Sequence, residues 1–315
     1  MRITVLVGGV GGARFLQGVR TLPCDVTAIV NTGDDVALHG LQICPDLDSV
    51  MYTLGGAADD ERGWGRQGET WAVSRELADY GAEAPWFSLG DKDIATHLIR
   101  TQMLNAGYGL SSVTKALCQR WEPGVEMLPM SDDRVETHVL VDDDGTQRAI
   151  HFQEWWVRHR GELAAQRFIF TGAAESQPAP GVLSAIATAD VVLIAPSNPV
   201  VSIAPILAVP GIREALRNGK APVIGVSGII DKAVVRGMAD KCLTSIGVEV
   251  SAQGVGELYG ARSADGLLDA WLVDTTDDGV EVPGVAVHSC PLWMSSPEAT
   301  RKIVEAGLET VGIRP

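Results

Sequence analysis

Short apolar runs alternate with stretches of mixed polarity along much of this 315-residue chain. The run at 3–7 is rich in β-branched residues and passes at once into glycines, which is typical of a strand buried on both faces. A helix is predicted over 14–22, and a second buried strand follows over 26–30. Strand, glycine turn, helix and strand in this order indicate an α/β fold with a doubly wound, mainly parallel, Rossmann-like sheet.

The same alternation returns in the second half of the chain. A strand is predicted over 168–171, and buried strands are predicted over 191–195 and 223–227. A final helix is predicted over 296–310, because a serine is followed by a proline that suits the first helical position. Further helices are predicted over 69–80, 93–106 and 111–121.

The middle of the chain has a different pattern, in which strand signals dominate. Strands are predicted there over 125–128, 135–141 and 149–152. The sequence Asp-Asp-Asp-Gly at 142–145 is a hairpin signal between the last two. We interpret 123–165 as an inserted β/α subdomain. It separates a Rossmann-like part over 1–122 from a continuation of the α/β core over 166–315, all within one composite domain.

Composition narrows the classes of function. The 40 acidic and 25 basic residues give a formal net charge of −15, which disfavours binding to nucleic acid. The five cysteines form no C-x-x-C pair, so neither a structural zinc site nor a disulfide framework is expected. The sequence shows no signal-peptide pattern and no run of roughly 20 apolar residues that would span a membrane. We therefore expect a cytoplasmic protein without a membrane partner.

Four glycines follow the first predicted strand. Gly8, Gly9, Gly11 and Gly12 lie where a strand ends and a helix begins, so their backbone N–H groups are suited to binding an anion. The pattern lacks the Gly-Lys-Ser/Thr of a P-loop, and Arg14 stands where the dinucleotide fingerprint has its third glycine. We favour a phosphate site over a tight turn without a ligand, because doubly wound sheets bind ligands at the carboxyl ends of their strands.

Polar residues after the second strand are candidates for the same site. Asn31 and Asp34 lie in the turn that follows that strand. An acidic residue there often contacts a ribose, although a plain turn is equally compatible. Asp46 and Asp48 begin a predicted helix, and Asp59 follows it. Carboxylates that converge on a phosphate pocket suit Mg²⁺, whereas helix capping and solvent exposure are the alternatives.

A second polar group follows the strand at 191–195. Ser197, Asn198 and Pro199 lie in a loop stiffened by two prolines, and Ser202 comes soon after. Serine and asparagine offer donors and acceptors that can recognise a base or a ribose. The alternative is a rigid turn without a ligand.

Longer motifs resemble those of one family and extend over most of the chain. The matching stretches are Gly8 to Gly12, Val-Asn-Thr at 30–32, Pro-Asp-Leu-Asp at 45–48, Leu-Gly-Asp-Lys-Asp at 89–93, Ala-Thr-His-Leu-Ile-Arg at 95–100, Leu-Pro-Met-Ser-Asp-Asp at 128–133, His-Phe-Gln at 151–153 and Pro-Ser-Asn-Pro at 196–199. Together they resemble the transferase family of coenzyme F420 biosynthesis, usually called 2-phospho-L-lactate transferase. The chain looks most like the actinobacterial members.

The resemblance implies an Mg²⁺-dependent enzyme with two substrates. The acceptor would be the deazaflavin 7,8-didemethyl-8-hydroxy-5-deazariboflavin (Fo). The donor would be a guanosine diphosphate ester of a three-carbon acid, and GMP would leave. Actinobacterial members imply the enolpyruvyl donor and a dehydro coenzyme F420-0 product, whereas archaeal relatives imply the lactyl donor. No residue that we can identify separates the two donors, and a homodimer is implied as well.

The resemblance also implies roles for the candidate residues. Asp48 and Asp59 would hold Mg²⁺ against the diphosphate, which the glycine turn would bind. The loop at Ser197 and Asn198 would hold the guanosine. Three residues would line the deazaflavin side: Asp91, Thr96 and His97.

Two other functions are compatible with parts of the sequence. A dinucleotide-dependent oxidoreductase would share the early glycine turn, but the third glycine is missing. A non-enzymatic regulator that binds nucleotide sugars would share the fold core. The motif at 90–100 and the aromatic pair Trp155 and Trp156 favour the transferase.

Overall fold

The computed structural model describes residues 1–314. The strands are β1 (Arg2–Val7), β2 (Asp25–Val30), β3 (Val36–Leu38), β4 (Leu41–Ile43), β5 (Glu126–Pro129), β6 (Glu136–Asp143), β7 (Thr146–His151), β8 (Ala164–Thr171), β9 (Val191–Ile194), β10 (Val223–Val226), β11 (Ile229–Ile230), β12 (Ala233–Val234), β13 (Ala270–Val273) and β14 (Ala286–Ser289).

The α-helices are α1 (Gly9–Val19), α2 (Pro45–Leu54), α3 (Ala72–Asp79), α4 (Asp91–Asn105), α5 (Leu110–Trp121), α6 (Val182–Thr188), α7 (Ala204–Ala208), α8 (Ile212–Asn218), α9 (Ala239–Ser245), α10 (Ala252–Tyr259) and α11 (Pro297–Thr310). Shorter helical turns are Glu154–Arg158, Ala173–Glu175, Pro199–Ile203, Arg262–Ala264 and Thr275–Asp277.

A seven-stranded sheet forms the centre of the molecule. Its order is β14-β13-β10-β9-β1-β2-β5, and every neighbouring pair is parallel. The chain winds outward from β1 through β2 to β5 in one direction and from β9 to β14 in the other. The predicted doubly wound, Rossmann-like α/β fold is therefore confirmed, and the reversal of strand order lies between β1 and β9.

Both faces of this sheet are buried, which explains the unbroken apolar runs in the sequence. Successive side chains of β1 point to opposite faces. Leu6 therefore packs with the core that includes the inserted sheet, whereas Val5 and Val7 pack with α1, α2 and α11. Each such buried aliphatic side chain stabilises the fold by roughly 1.5–3 kcal/mol relative to exposure.

A three-stranded antiparallel sheet, β7-β6-β8, projects from the middle of the chain. Its hairpin turns at Asp144 and Gly145, which both have positive φ, in agreement with the predicted turn. β5 pairs with β2 in the central sheet, and β8 continues the inserted sheet to Thr171. The inserted sheet thus spans 136–171, while the division at 123–165 stays a prediction about domains.

α4 begins at Asp91, two residues before the predicted start, because the Glu69 carboxylate accepts the N–H groups of Lys92 and Asp93 at 2.8 and 2.9 Å.

Among the described residues, no single helix is long and apolar enough to cross a membrane. Only the segments Pro199–Ala208 and Ile212–Asn218 together reach that length and composition, and they are bent by 88°.

Candidate functional site

The site lies where the strand order reverses, at the carboxyl ends of β1 and β9. In doubly wound sheets this is the crevice in which ligands bind. The glycine turn leaves β1 there and opens α1, whose N-terminal N–H groups favour an anion. The loop that contains Ser197 leaves β9 beside it. The fold therefore brings together two segments nearly 190 positions apart in sequence.

The glycines of the turn are required for different reasons. A Cβ at Gly8 would lie 2.6 Å from the Asp46 carboxylate and from Ser202, so no side chain fits at that position. Gly9 has a φ of +65°, which favours glycine. A Cβ at Gly12 would lie 2.2 Å from the Val7 side chain, so this glycine serves packing. The sequence places all four glycines in one motif, but the structure gives them different tasks.

Ser197 fastens the loop after β9 to the glycine turn. Its hydroxyl accepts the Gly8 N–H at 3.1 Å and donates to the Gly8 carbonyl at 2.7 Å. The Asn198 side chain accepts the N–H groups of Val200 and Val201 at 2.9 and 3.3 Å, and thereby caps the turn at Pro199–Ile203. Much of the hydrogen-bonding capacity of this loop is thus used in holding its own shape.

A cavity of about 550 Å³ opens at this point. Predicted site residues that line it are Gly8, Gly9, Gly11, Asp34, Asp48, His97, Ser197, Asn198 and Ser202. Predicted residues outside its lining are Gly12, Asn31, Asp59, Asp91, Thr96 and Pro199. The volume is within the range of pockets that bind small molecules and cofactors.

The residues outside the lining have contacts of their own. Asn31 is buried beneath the cavity. Asp91 accepts the N–H groups of Ala72 and Val73, both at 3.0 Å, and thereby fixes the start of α3. Asp59 accepts the Arg62 N–H at 2.7 Å and forms an ion pair with the guanidinium at 3.0 Å. The structure therefore does not bring Asp59 and Asp48 together in the cavity wall, and the predicted Mg²⁺ ligation by this pair stays a prediction.

Two buried carboxylates line the cavity and have no cationic side chain as a partner among the described residues. The Asn31 Nδ2 group donates to Asp46 at 2.9 Å and to Asp34 at 3.2 Å. Burial, opposed by that hydrogen bond, raises the pKa of Asp46 to about 6. Burial and the neighbouring Asp46 raise the pKa of Asp34 well above its ordinary value. Neither carboxylate has an ion-pair partner among the described residues.

A second buried cluster contains its own cation. Asp48 accepts two hydrogen bonds from the Arg100 guanidinium, one of them at 3.0 Å from Nη1 to Oδ2, and both side chains are buried. Burial lowers the pKa of Arg100, but Asp48 outweighs that effect and holds the pKa above its ordinary value. His97 Nδ1 lies 3.1 Å from the same guanidinium. The charge of Asp48 is therefore compensated within the protein.

Asp93 and Tyr52 extend this cluster into the cavity. Asp93 lies 3.3 Å from His97 Nε2 and accepts a 2.6 Å hydrogen bond from the Tyr52 hydroxyl. Burial raises the pKa of Asp93, but its contacts with His97, Tyr52 and Arg100 outweigh burial and hold the pKa below its ordinary value. Ligand atoms of Asp48, Asp93 and His97 lie within 4.8 Å of one another, which is a spacing compatible with a metal ion.

The sequence predicts only part of this cluster. His97 follows Asp93 by four positions and Arg100 follows His97 by three, and both spacings place side chains on one face of a helix. That spacing is the signal that would have identified Asp93 and Arg100 as site residues. The pairing of Arg100 with Asp48 has no such signal, because 52 positions separate them.

Aromatic side chains form a large part of the cavity lining. Those that line it, besides Tyr52, are Trp64, Trp86, Phe87, Phe152 and Trp156. Trp64 is 44% exposed, and the Arg62 guanidinium lies 4.9 Å from the centre of its ring. The cavity thus combines a polar end at the glycine turn with aromatic rings in its lining, which suits a ligand with a phosphate and a planar ring.

Comparison with known proteins identifies the family. The model of the family described as 2-phospho-L-lactate transferase CofD matches residues 3–283. A phosphoenolpyruvate transferase of Nocardia farcinica is 62% identical over 318 residues, covering 99% of this chain and 96% of its own. One of Mycolicibacterium smegmatis is 56% identical, covering 99% of both chains.

A likeness to solved structures concerns the fold alone. The crystal structure of a UPF0052 family member from Bacillus halodurans, protein BH3568, has a TM-score of 0.61 to this chain. The two share 21% identity, and the alignment covers 98% of this chain and 99% of the other. The family match, by contrast, favours the predicted transferase over the oxidoreductase and the nucleotide-sugar-binding regulator. The chain belongs to the 2-phospho-L-lactate transferase CofD family, the transferase family of coenzyme F420 biosynthesis that its motifs resemble.

Proposed function

We propose that this enzyme transfers the phosphoenolpyruvyl group from enolpyruvyl-diphospho-guanosine to the deazaflavin Fo, which releases GMP and forms dehydro coenzyme F420-0. The names of the relatives, phosphoenolpyruvate transferases, favour this donor over the 2-phospholactyl analogue. The single observation that carries the assignment of substrates is the cavity, which a glycine turn and aromatic rings both line.

The polar end suits the donor. Gly8 and Gly9 leave room for a diphosphate against the backbone, and the N-terminus of α1 adds partial positive charge. The loop at Ser197 and Asn198 lines the same end and offers the guanosine a rigid surface. Positioning and electrostatic stabilisation supply most of the catalysis in phosphoryl transfer, so a preformed cradle of this kind fits the reaction.

The aromatic part of the lining suits the acceptor. Trp64, Trp86 and Trp156 present flat apolar surface on which a tricyclic deazaflavin can stack. His97 and Asp93 line the same cavity, and we propose that they contact the ribityl chain of the acceptor. Of the predicted deazaflavin residues, only His97 lines the cavity, so Asp91 and Thr96 would support that side indirectly.

The transfer itself exchanges one phosphorus–oxygen bond for another. The terminal ribityl oxygen of Fo bonds to the β-phosphorus, and the bond from that phosphorus to the bridging oxygen of GMP breaks. A carboxylate accepts the proton of the ribityl hydroxyl. The electrons of the broken phosphorus–oxygen bond stay on the bridging oxygen, which leaves as part of GMP. Asp93 lines the cavity beside His97, and we propose it on this position as the acceptor of the proton.

The buried residues fit a magnesium ion best at Asp46 and Asp34. Both carboxylates are desolvated and lack a cationic partner. A divalent cation would compensate their negative charge. Asp48 is compensated by Arg100, and Asp59 is compensated by Arg62. We therefore propose Asp46 and Asp34 as magnesium ligands in place of the pair predicted from sequence. When bound, Mg²⁺ would neutralise charge on the diphosphate.

One experiment tests the function. The purified protein is incubated with Mg²⁺, Fo and either the enolpyruvyl or the lactyl donor, and products are weighed by mass spectrometry. We expect GMP release and dehydro coenzyme F420-0 from the enolpyruvyl donor. Absence of GMP release with both donors would defeat the proposal. The homodimer and the cytoplasmic location implied by the family are proposals as well, and sedimentation of the protein would test the first.

A further inference from the structure

Arg236 is carried to the cavity mouth by a small hairpin. β11 and β12 are joined through Asp231 and Lys232, which both have positive φ. The Asp231 N–H donates to Asp277 at 3.0 Å, and this contact anchors the tip of the hairpin. Arg236 lies two positions after the end of β12 and lines both the main cavity and a smaller one of about 40 Å³ beside the Ser197 loop.

Charge makes this residue stand out. The acidic residues that line the main cavity are Asp34, Asp46, Asp48 and Asp93. Among the described lining residues, Arg236 is the one arginine or lysine. Arg100 lies behind the wall and is already paired with Asp48. A ligand with several negative charges therefore meets one uncommitted cation at this mouth.

The present partner of Arg236 is a neutral group. Its Nη2 donates to the Gly63 carbonyl at 3.3 Å, and it has no carboxylate within ion-pair distance in the part of the chain that the structure describes. Gly63 has a φ of +79°, and a Cβ there would lie 1.7 Å from Nη2. The loop at 59–65 therefore leaves space for the guanidinium to approach the cavity.

The surroundings of Arg236 disfavour its charge. Burial lowers its pKa, the charge of Arg14 lowers the pKa further, and Asp60 opposes this effect. A bound anion would offset this cost, because an opposite charge nearby favours the charged form of a group. A phosphate oxygen would also give Arg236 charge-assisted, bidentate hydrogen bonds in place of one to a carbonyl.

We propose that Arg236 binds the diphosphate of the donor, with its guanidinium exchanging the Gly63 carbonyl for phosphate oxygens. The identity of the nucleoside diphosphate rests on the proposed function, but the recognition of a diphosphate does not. The positive charge of Arg236 then offsets the repulsion between the negatively charged ligand and the four aspartates that line the cavity.

The test compares binding of GDP and guanosine, measured by calorimetry with Mg²⁺ present, in the intact protein and its variants. We expect R236Q to weaken GDP binding at least tenfold and to leave guanosine binding unchanged, since only GDP carries the diphosphate. R236K should recover part of the loss, because it restores charge without the bidentate geometry. K232Q removes the same charge from the same hairpin, outside the cavity lining, and should bind GDP as the unaltered protein does.

Three results would overturn the inference: unchanged GDP affinity in R236Q, equal losses for GDP and guanosine, or no GDP binding by the unaltered protein. The proposed function fails separately, through absent GMP release from either donor. A tenfold loss of GDP affinity in R236Q together with absent transfer would uphold the diphosphate site and reject the transferase chemistry.

Discussion

Asp46 and Asp48 lie two positions apart in the first turn of α2 and line the same cavity, but their surroundings are opposite. Asp48 is paired with the buried Arg100 guanidinium. Asp46 has only the Asn31 amide, the Gly9 N–H and the neighbouring carboxylate of Asp34, and burial raises its pKa to about 6. One aspartate therefore serves the protein as part of an internal ion pair, whereas the other leaves a charge that a ligand can compensate.

The largest expected effect comes from breaking the internal pair. Arg100→Met leaves Asp48 buried without its cation, so we expect the free energy of unfolding to fall by about 3–5 kcal/mol, measured by urea denaturation. Arg75→Met, at an exposed position of α3, should change stability by less than about 0.5 kcal/mol. A stable Arg100→Met protein would mean that Asp48 reaches solvent or another partner, and the contrast with Asp46 would disappear.

The next prediction concerns the uncompensated aspartate, in buffer with a chelator. Folding raises the pKa of Asp46 from 3.8 to about 6, so the folded state favours the protonated form. The contribution of Asp46 to stability is therefore most favourable below pH 4 and is lost as the pH rises through 6, by up to about 3 kcal/mol. Asp46→Asn should remove that loss, so the stability difference between variant and unaltered protein should grow from pH 4 to 7. An unchanged difference would contradict the raised pKa.

A smaller effect is expected at Tyr52. Its hydroxyl donates to the Asp93 carboxylate at 2.6 Å within the compensated cluster. Tyr52→Phe keeps the ring and removes a hydrogen bond to a charged group, so a loss of about 1.5–3 kcal/mol in the free energy of unfolding is expected. Tyr80→Phe removes a hydroxyl from a ring that is 87% exposed and serves as the matched control. Equal stability of the two variants would mean that the hydrogen bond from Tyr52 to Asp93 does not stabilise the fold.

The smallest expected effect is stabilisation of the protein by Mg²⁺, which tests whether Asp46 or Asp59 binds the ion. At ten times its dissociation constant, Mg²⁺ should stabilise the unaltered protein by about 1.4 kcal/mol, because it binds the folded state. Asp46→Asn should lose most of this stabilisation, whereas Asp59→Asn should keep it. Thermal unfolding with increasing Mg²⁺ measures both. Loss in Asp59→Asn with retention in Asp46→Asn would restore the ligand assigned from the sequence.

Sequence reasoning reached most of what depends on local signals. Short patterns mark the glycine turn, the loop at Ser197 and five strands of the central sheet, namely β1, β2, β5, β9 and β10. The strands β13 and β14 were not predicted. The assignment of β5 to the inserted subdomain had no such support. An apolar run predicts a strand but not its neighbour, and hydrogen bonding to β2 placed β5 in the central sheet.

The sequence by itself determined the doubly wound fold, the glycine turn and the family, because period, turn residues and motifs are properties of neighbouring positions. Only the tertiary structure decided which aspartates carry a free charge. Arg100 reaches Asp48 across 52 positions, and Asp59 turns to Arg62 within its own loop, so the pair chosen from sequence as metal ligands is compensated by arginines. Electrostatic compensation depends on distances in space, and those distances exist only once the chain has folded.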